Sequence, residues 1–347
     1  MRAAPQGALD APILTFDVGG TFTRAGLFDA ASGSLNAAAR CDTPNFLRQP
    51  GVARDELLGR VFASIRDLGK QLLRNSEPSA VVVAYPGPMT PNGTALRAPT
   101  ILGDALDGPH DAKRSIQAIW PQAHAAVLND LTCAGYHYVA QGCEDFCVIT
   151  VGSGIGNKVF LAGRPVVGGG GRGGEIGHLL VRPEYASPVA DLHAELGDVA
   201  SGRGTLQLAR RWLERSPECF DSSLLREGIG DGGRAMDTRM LVEAFRADDP
   251  LARRIVAAGC YPIADLIGVL HLALGLESFF IVGGFAKALG PTYLQLLIER
   301  SRRITWDLGQ DWTSMIELGK PNHEEALLGA GYFAASELEH APSIRHG

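Results

Sequence analysis

Eleven glycines lie within residues 152–177, a stretch of only 26 residues. Glycine loses more conformational freedom on folding than other residues, so this density persists where the backbone needs positive φ or must let a ligand approach. A flexible linker is the alternative. The apolar run 146–151 leads into the stretch, and a second apolar run, 159–161, lies within it. Glu175 lies near the end of the stretch, and His178 follows it directly. This order predicts two strands and two glycine loops that form a phosphate and polyol site.

Asp17 begins a second small-residue segment, Asp-Val-Gly-Gly-Thr-Phe-Thr, which ends at Thr23. The backbone N–H groups of such a turn can bind phosphate, and the Asp17 carboxylate could hold Mg²⁺ through water. An ordinary hairpin is the alternative, because Asp-x-Gly-Gly is also common turn chemistry. These residues alone leave both interpretations open.

Asn129 and Asp130 directly follow the apolar run 125–128 and precede a helical pattern. They are therefore expected at the carboxyl end of a strand, where open α/β sheets bind ligands. A catalytic carboxylate and a simple helix cap both fit this position.

Two further groups of residues could bind a ligand. Glu175 and His178, three residues apart, suit the vicinal hydroxyls of a sugar, although a lone histidine is more often structural. Gly283 and Gly284 follow the apolar run 279–282, which would let adenine or ribose lie against the backbone. A dinucleotide site is disfavoured, because no G-x-G-x-x-G with its downstream acid is correctly placed.

The elements that position these residues follow from the apolar spacing. Strands are predicted at 13–16, 23–28, 80–84, 125–128, 146–151 and 279–282. Helices are predicted at 55–73, 115–120, 131–140, 202–215, 238–247, 251–274, 291–303 and 324–338. Strands that alternate with helices predict an α/β fold with parallel strands.

Length and composition restrict the class of protein. A chain of 347 residues suits two domains. A net charge of −6 lacks the excess of positive charge that is typical of nucleic-acid-binding proteins. We expect no signal peptide and no apolar run near the ~20 residues that span a bilayer. The protein is therefore predicted to be cytoplasmic, with no nucleic-acid or membrane partner. The six cysteines are predicted to be reduced and structural.

The order of these motifs resembles the ROK family of sugar kinases, within the actin–hexokinase–Hsp70 superfamily. The resemblance is carried by residues 17–21, 85–88, 129–130, 152–156, 174–178, 200–202, 281–284 and 326–330. It implies an α/β fold of two actin-like ATPase (ribonuclease H-like) domains with a cleft between them. The small N-terminal domain would comprise residues 1–127, completed by the C-terminal helix at about 331–347, and the large domain residues 128–330.

The resemblance also implies site roles. Asp130 would be the base that takes the proton from the substrate hydroxyl, and Asn129, Asp130, Glu175 and His178 would bind the sugar. ATP would be bound by Asp17, Gly19, Gly20, Thr21, Thr23, Gly152, Gly154, Gly156, Gly283 and Gly284. Mg²⁺ would accompany ATP near Asp17.

The sequence departs from the family after His178. The family's zinc-binding cysteine cluster is missing, because no cysteine lies between His178 and Cys219. Zinc is therefore not expected, and another group must orient His178. The family's usual glutamate position is Gly197 here, and Glu195 or Asp198 could replace it, with a plain surface loop as the alternative.

The expected activity is ATP-dependent phosphorylation of a primary hydroxyl of a hexose, with glucose as the first candidate. The alternative substrate is a modified sugar or carbocyclic analogue, such as an aminosugar or C7-cyclitol of secondary metabolism. A non-catalytic sugar-responsive regulator is the third interpretation, and the presence of Asp130 argues against it. With 16 residues before Asp17, we expect no helix-turn-helix domain. Dimers are common in the family, so the resemblance also implies a homodimer.

Overall fold

The computed structural model describes residues 11–182, 193–320 and 324–340. The described residues form two compact units. Unit 1 draws its residues from Met1–Glu144, Ala162–Gly173 and Glu324–Gly347, and unit 2 from Asp145–Leu161 and Gly174–His323. The domain boundary after residue 127 stays a prediction, and residues 1–10 and 341–347 of the predicted small domain lie outside the described residues.

The strands, in chain order, are β1 (Ile13–Val18), β2 (Phe22–Asp29), β3 (Ser34–Asp42), β4 (Ala80–Tyr85), β5 (Thr94–Ala95), β6 (His110–Asp111), β7 (His124–Asn129), β8 (Phe146–Val151), β9 (Ile155–Leu161), β10 (Arg164–Pro165), β11 (Leu180–Val181), β12 (Ala194–Glu195), β13 (Phe279–Val282) and β14 (Ile316–Leu318).

The α-helices are α1 (Arg54–Leu73), α2 (Pro99–Leu106), α3 (Ala112–Ile119), α4 (Asp130–Val139), α5 (Leu196–Ala200), α6 (Gly202–Arg215), α7 (Gly230–Gly233), α8 (Thr238–Arg246), α9 (Pro250–Leu274), α10 (Gly284–Leu289), α11 (Pro291–Ile304), α12 (Trp312–Met315) and α13 (Glu325–His340). Short 3₁₀ helices cover Ile176–His178, Pro217–Phe220 and Leu224–Gly228.

Unit 1 is built on a sheet with the strand order β3-β2-β1-β4-β7. Strand β1 runs antiparallel to β2 and parallel to β4, which is parallel to β7. Every residue of β4 is buried, because helices cover both faces of the sheet. Val81 and Val83 face a core that includes residues of α1 and α3, while Ala80 and Val82 face α4 and α13.

Helices α4 and α13 pack closely through small residues. A Cβ on Gly329 of α13 would overlap the carbonyl oxygen of Cys133 in α4, and one on Gly331 would overlap the ring of Phe28. Glycine is therefore required at both positions. This contact holds α4, and with it the start of α4 at Asp130, against the sheet of unit 1.

Unit 2 contains a second sheet, in which strands lie in the order β9-β8-β13-β14. Strand β8 is antiparallel to β9 and parallel to β13. A large apolar core, which includes Trp212, Phe245 and Phe279, fills the space between this sheet and its helices.

Helix α9 corrects one expectation. It is 25 residues long and contains an 18-residue apolar window with a mean hydropathy of 1.7, so it has the length and composition of a membrane span. The expectation that no apolar run approaches this length was therefore wrong. However, 61% of this apolar window is buried inside the protein, and Asp265 pairs with Arg300 of α11 at 2.8 Å. The core helix of a globular unit has these properties, and one such helix is weak evidence for a membrane span.

The predicted strands and helices are all present, and the bounds of the longer elements shift by a few residues at most. The α/β class is confirmed. The prediction missed β3, whose sequence is rich in alanine and lacks the β-branched residues that favour strands.

Candidate functional site

Asn129 and Asp130 lie at the carboxyl end of β7, and both side chains are half-buried. Asn129 is the cap of α4, because its Oδ1 accepts hydrogen bonds from the N–H groups of Leu131 (3.1 Å) and Thr132 (3.2 Å). Its Nδ2 donates to the carbonyl oxygen of Gly87 at 3.0 Å and to Asp130 Oδ1 at 2.8 Å. The capping role that the sequence left open for both residues therefore belongs to Asn129.

Asp130 is therefore not the cap of α4. It is the first residue of α4, where the helix dipole stabilises a negative charge. Asp130 Oδ1 also accepts from the N–H of Leu131 at 2.9 Å, so the carboxylate is held in one orientation. A fixed, half-buried carboxylate at a strand end can accept a proton or a hydrogen bond from a hydroxyl.

Asp17 lies in β1 directly opposite Arg24 in β2. Arg24 Nη1 donates to Asp17 Oδ2 at 2.8 Å. Burial raises the pKa of the Asp17 carboxyl, Arg24 opposes this shift, and the nearby Glu325 adds to it. Unit 1 therefore holds a carboxylate whose negative charge is partly neutralised by one guanidinium group.

The turn after Asp17 is tight. The N–H of Gly19 donates to the carbonyl oxygen of Phe22 at 3.0 Å, and Thr21 is exposed at the tip. Thr23 is fully buried, and its hydroxyl is hydrogen-bonded to that of Thr43 at 2.9 Å. The exposed turn and the buried hydroxyl beneath it are therefore distinct parts of this motif.

Gly152 and Gly154 form the turn between β8 and β9, and Gly156 lies in β9. The N–H of Gly152 donates to Gly154 O at 3.1 Å, and Gly152 O accepts from the N–H of Gly202 at 2.8 Å. Neither turn glycine has a left-handed φ, and a Cβ on Gly154 would meet no protein atom within 4 Å. Neither left-handed backbone nor internal packing therefore requires glycine at position 154.

Gly283 and Gly284 link β13 to α10, next to the β8–β9 turn. Gly283 has a φ of +98°, and a Cβ there would lie 2.7 Å from the carbonyl oxygen of Val151, so this position requires glycine. The N atom of Gly284 lies 3.9 Å from the point where a Cβ on Gly152 would be. In unit 2, the glycines that were predicted to bind phosphate therefore lie next to the glycines that were predicted to contact adenosine.

Glu175 follows Gly174, whose φ of +94° turns the chain back towards β9. A Cβ on Gly174 would lie 2.9 Å from Lys158 Nζ, and Lys158 is only 3% exposed. Glu175 retains exposed surface, yet desolvation raises the pKa of its carboxyl, while Lys158 and His178 lower it. A buried cation therefore lies beneath the acid that was predicted to bind hydroxyls.

His178 contacts Glu195, with 2.8 Å between Nδ1 and Oε2. Asp198, the other acid considered for this region, is exposed in α5. Part of the segment that takes the place of the family's cysteine cluster, residues 183–192, lies outside the described residues. Within the described ranges, no group of three or more His, Cys, Asp or Glu residues is arranged to hold a metal ion.

Two charged residues near these groups were missed by the sequence analysis. Lys158 could have been noticed as a lysine within a strand of buried residues, and Arg24 as the cross-strand partner of Asp17 once the hairpin register was assumed. Each lies beside a predicted site residue of its own unit.

Comparison with known proteins identifies the family. The model of the ROK family matches residues 13–337. The chain belongs to the ROK family. Its α/β architecture is accordingly that of ROK kinases, which have two actin-like ATPase domains.

Several known proteins are similar over nearly the whole chain. The C(7)-cyclitol 7-kinase of Streptomyces hygroscopicus subsp. limoneus is 35% identical over 335 residues, which is 94% of both chains. The 2-epi-5-epi-valiolone 7-kinase of an Actinoplanes species is 29% identical, covering 93% of this chain and 92% of the relative. The solved structure of the ROK hexokinase from Thermus thermophilus has 26% identity and a TM-score of 0.70, covering 95% of this chain and 100% of that one.

Proposed function

We propose that this ROK protein is an ATP-dependent kinase that phosphorylates a hydroxyl of a C7-cyclitol or a similar carbocyclic sugar analogue. The 35% identity to a C(7)-cyclitol 7-kinase over 94% of both chains carries the proposal. The comparisons favour this alternative over the hexose first expected from sequence, because the hexokinase structure is only 26% identical.

Asp130 acts as the base in this proposal. The transition state of phosphoryl transfer is loose, so the protein contributes mainly positioning and charge stabilisation. Asn129 fixes the Asp130 carboxylate through its 2.8 Å hydrogen bond. Asp130 can then orient the attacking hydroxyl and accept its proton as the bond to phosphorus forms.

The glycine turns bind the phosphates of ATP. Backbone N–H groups are suitable donors for phosphate oxygens when no side chain keeps the ligand away. Gly154 supports this role, because the protein itself does not require glycine there. Gly152 and Gly156 flank it, and Gly283 and Gly284 would lie along the adenosine.

In unit 1, the turn formed by Gly19, Gly20 and Thr21 would bind a phosphate group of ATP. The buried Thr23 would stabilise this turn. Asp17 fits a Mg²⁺ ion held through water, because only one of its carboxylate oxygens is used by Arg24 in the described contacts. Bound Mg²⁺ would neutralise phosphate charge.

Asn129, Glu175 and His178 would bind the remaining hydroxyls of the acceptor. Glu175 and His178 are exposed side chains held on a tight glycine-containing loop, which suits recognition of a polyol. Since zinc is not expected, His178 depends on the surrounding protein for its orientation.

The proposed partners are small molecules only. An acidic pI near 5.9 is consistent with a cytoplasmic enzyme that binds neither nucleic acid nor membrane. We also propose a homodimer, because dimers are common in the family and because the apolar side chains of Leu272 and Trp306 are exposed and could pack against a second copy. Light scattering would test it.

A coupled ADP-release assay tests the activity. Purified protein, ATP and Mg²⁺ would be assayed with 2-epi-5-epi-valiolone, other C7-cyclitols, glucose and aminosugars. We expect kcat/KM for the best cyclitol to exceed that for glucose by about 10²-fold, since a site built for given hydroxyls discriminates by several kcal/mol. A preference for glucose would refute the cyclitol assignment, and no turnover of any polyol would refute the kinase.

A further inference from the structure

Glu195 is placed opposite the His178 loop by backbone pairing. Strands β11 and β12 are antiparallel, with Leu180 directly opposite Glu195. The N–H of Leu196 donates to the carbonyl oxygen of Leu179 at 2.8 Å, and the Leu196 side chain is fully buried. The register of this strand pair is therefore anchored, and Glu195 is held where it can reach His178.

The contact between these side chains restricts the chemistry of the imidazole. His178 Nδ1 and Glu195 Oε2 are 2.8 Å apart, a normal hydrogen-bond distance. An ionised carboxylate can only accept, so the hydrogen must be on Nδ1. In a neutral imidazole Nε2 then carries the lone pair, because the partner of one ring nitrogen sets the state of the other.

We propose that Glu195 is a positioning residue that holds His178 in the Nδ1–H tautomer, so that Nε2 accepts a hydrogen bond from a hydroxyl of the acceptor. This inference rests on the proposed function, in which His178 binds the substrate. It assigns the direction of that hydrogen bond. The protein therefore selects polyols that can donate at this position, and O-methyl, deoxy or fluoro analogues at this carbon lose the contact.

An ordinary surface pair is the competing explanation. The side chains of His178 and Glu195 are 69% and 45% exposed, and exposed ion pairs contribute little to stability. A positioning role predicts a change in tautomer and in acceptor binding, whereas a surface pair predicts neither.

Three variants of the full-length protein separate these explanations. Glu195→Leu removes the acceptor, and Glu195→Gln keeps an oxygen that can accept from Nδ1–H. Glu214→Gln is the matched control, because Glu214 is an exposed acid in α6 of the same unit and has no proposed role in the site. Denaturation curves would verify that all three variants fold.

The first readout needs no substrate. Long-range ¹H–¹⁵N NMR at about pH 8.5, where an ordinary imidazole is neutral, reports which ring nitrogen of His178 carries hydrogen. We expect the Nδ1–H tautomer in the wild type, Glu195→Gln and Glu214→Gln, and a shift towards Nε2–H in Glu195→Leu. An unchanged tautomer in Glu195→Leu would overturn the proposal.

The second readout is kinetic. Losing an oriented hydrogen bond in Glu195→Leu should raise KM for the acceptor by about 3- to 10-fold, with KM for ATP unchanged. Glu195→Gln should restore most of the binding, and Glu214→Gln should behave as wild type. An unchanged acceptor KM in Glu195→Leu refutes the role in binding. If the wild type phosphorylates no polyol, the proposed function fails, and the NMR result alone then decides whether Glu195 positions His178.

Discussion

Gly154→Ala is the substitution that tests the phosphate turn most directly. A Cβ at this position would meet no protein atom within 4 Å, and the φ angle is outside the left-handed region. The folded state should therefore accept the methyl group without strain. The added methyl would, however, project into the space through which a phosphate oxygen must approach the backbone N–H groups of the turn.

The expected effects on stability and activity have opposite signs. Replacing glycine by alanine at an unstrained position reduces the entropy of the unfolded chain, so the free energy of unfolding should rise by about 0.4–1 kcal/mol. Losing one hydrogen bond to a charged phosphate costs about 1.5–3 kcal/mol. This loss corresponds to a decrease in kcat/KM for ATP of about 10- to 150-fold.

The assay combines ADP release at varied ATP with urea denaturation. Gly169→Ala is the matched control, because a Cβ there also meets open space in the same glycine-rich stretch, and we expect it to leave kcat/KM for ATP unchanged. Gly177→Ala is the opposite control, since its Cβ would overlap the carbonyl oxygen of Ile155 and should destabilise the protein. If Gly154→Ala retains wild-type kcat/KM for ATP, the turn does not bind phosphate.

Three further substitutions test other parts of the proposal. Asp130→Asn should lower kcat by about 10²–10⁴-fold with little change in either KM, and a near-normal kcat in steady-state assays would remove Asp130 from the role of base. Asp17→Asn should increase the free energy of unfolding at neutral pH while reducing activity. Burial raises the pKa of Asp17 in the folded state, so the wild type loses stability as the pH rises through and above the usual carboxyl range. The increase in the free energy of unfolding caused by Asp17→Asn should therefore disappear below about pH 3, where the carboxyl is protonated in both the folded and the unfolded state. Urea titrations that show the same increase at every pH would contradict this account. Gly329→Ala should lower the free energy of unfolding by about 1–3 kcal/mol or more, because its Cβ overlaps the carbonyl oxygen of Cys133, and an unchanged denaturation midpoint would show that α4 and α13 separate easily.

The sequence predicts the elements well where one physical pattern dominates. Strand β4 is a continuous apolar run because both faces of its sheet are covered, and α1 has apolar residues at helical spacing. The end of β7 could be located in the same way, since Asn129 and Asp130 follow an apolar run directly. Local chemistry was sufficient for these features.

The contacts that tune the candidate site were harder to predict, because they depend on register and on loop closure. The pairing of His178 with Glu195 spans 17 residues and requires the β11–β12 register, in which a slip of one residue would reverse which face each side chain occupies. The proximity of Lys158 to Glu175 requires the left-handed turn at Gly174. Sequence spacing alone specifies neither arrangement.

The packing of α13 on α4 has a consequence for how the protein is made. The helix that begins at Asp130 lies early in the chain, yet its partner, Glu325–His340, is synthesised only after every residue of unit 2 up to Lys320. A ribosome-bound chain can therefore complete the core of unit 2 while the small-residue face of α4 is still uncovered. Such an intermediate is a target for chaperones. The helix that begins with the proposed base, Asp130, is packed against α13 only at the end of synthesis.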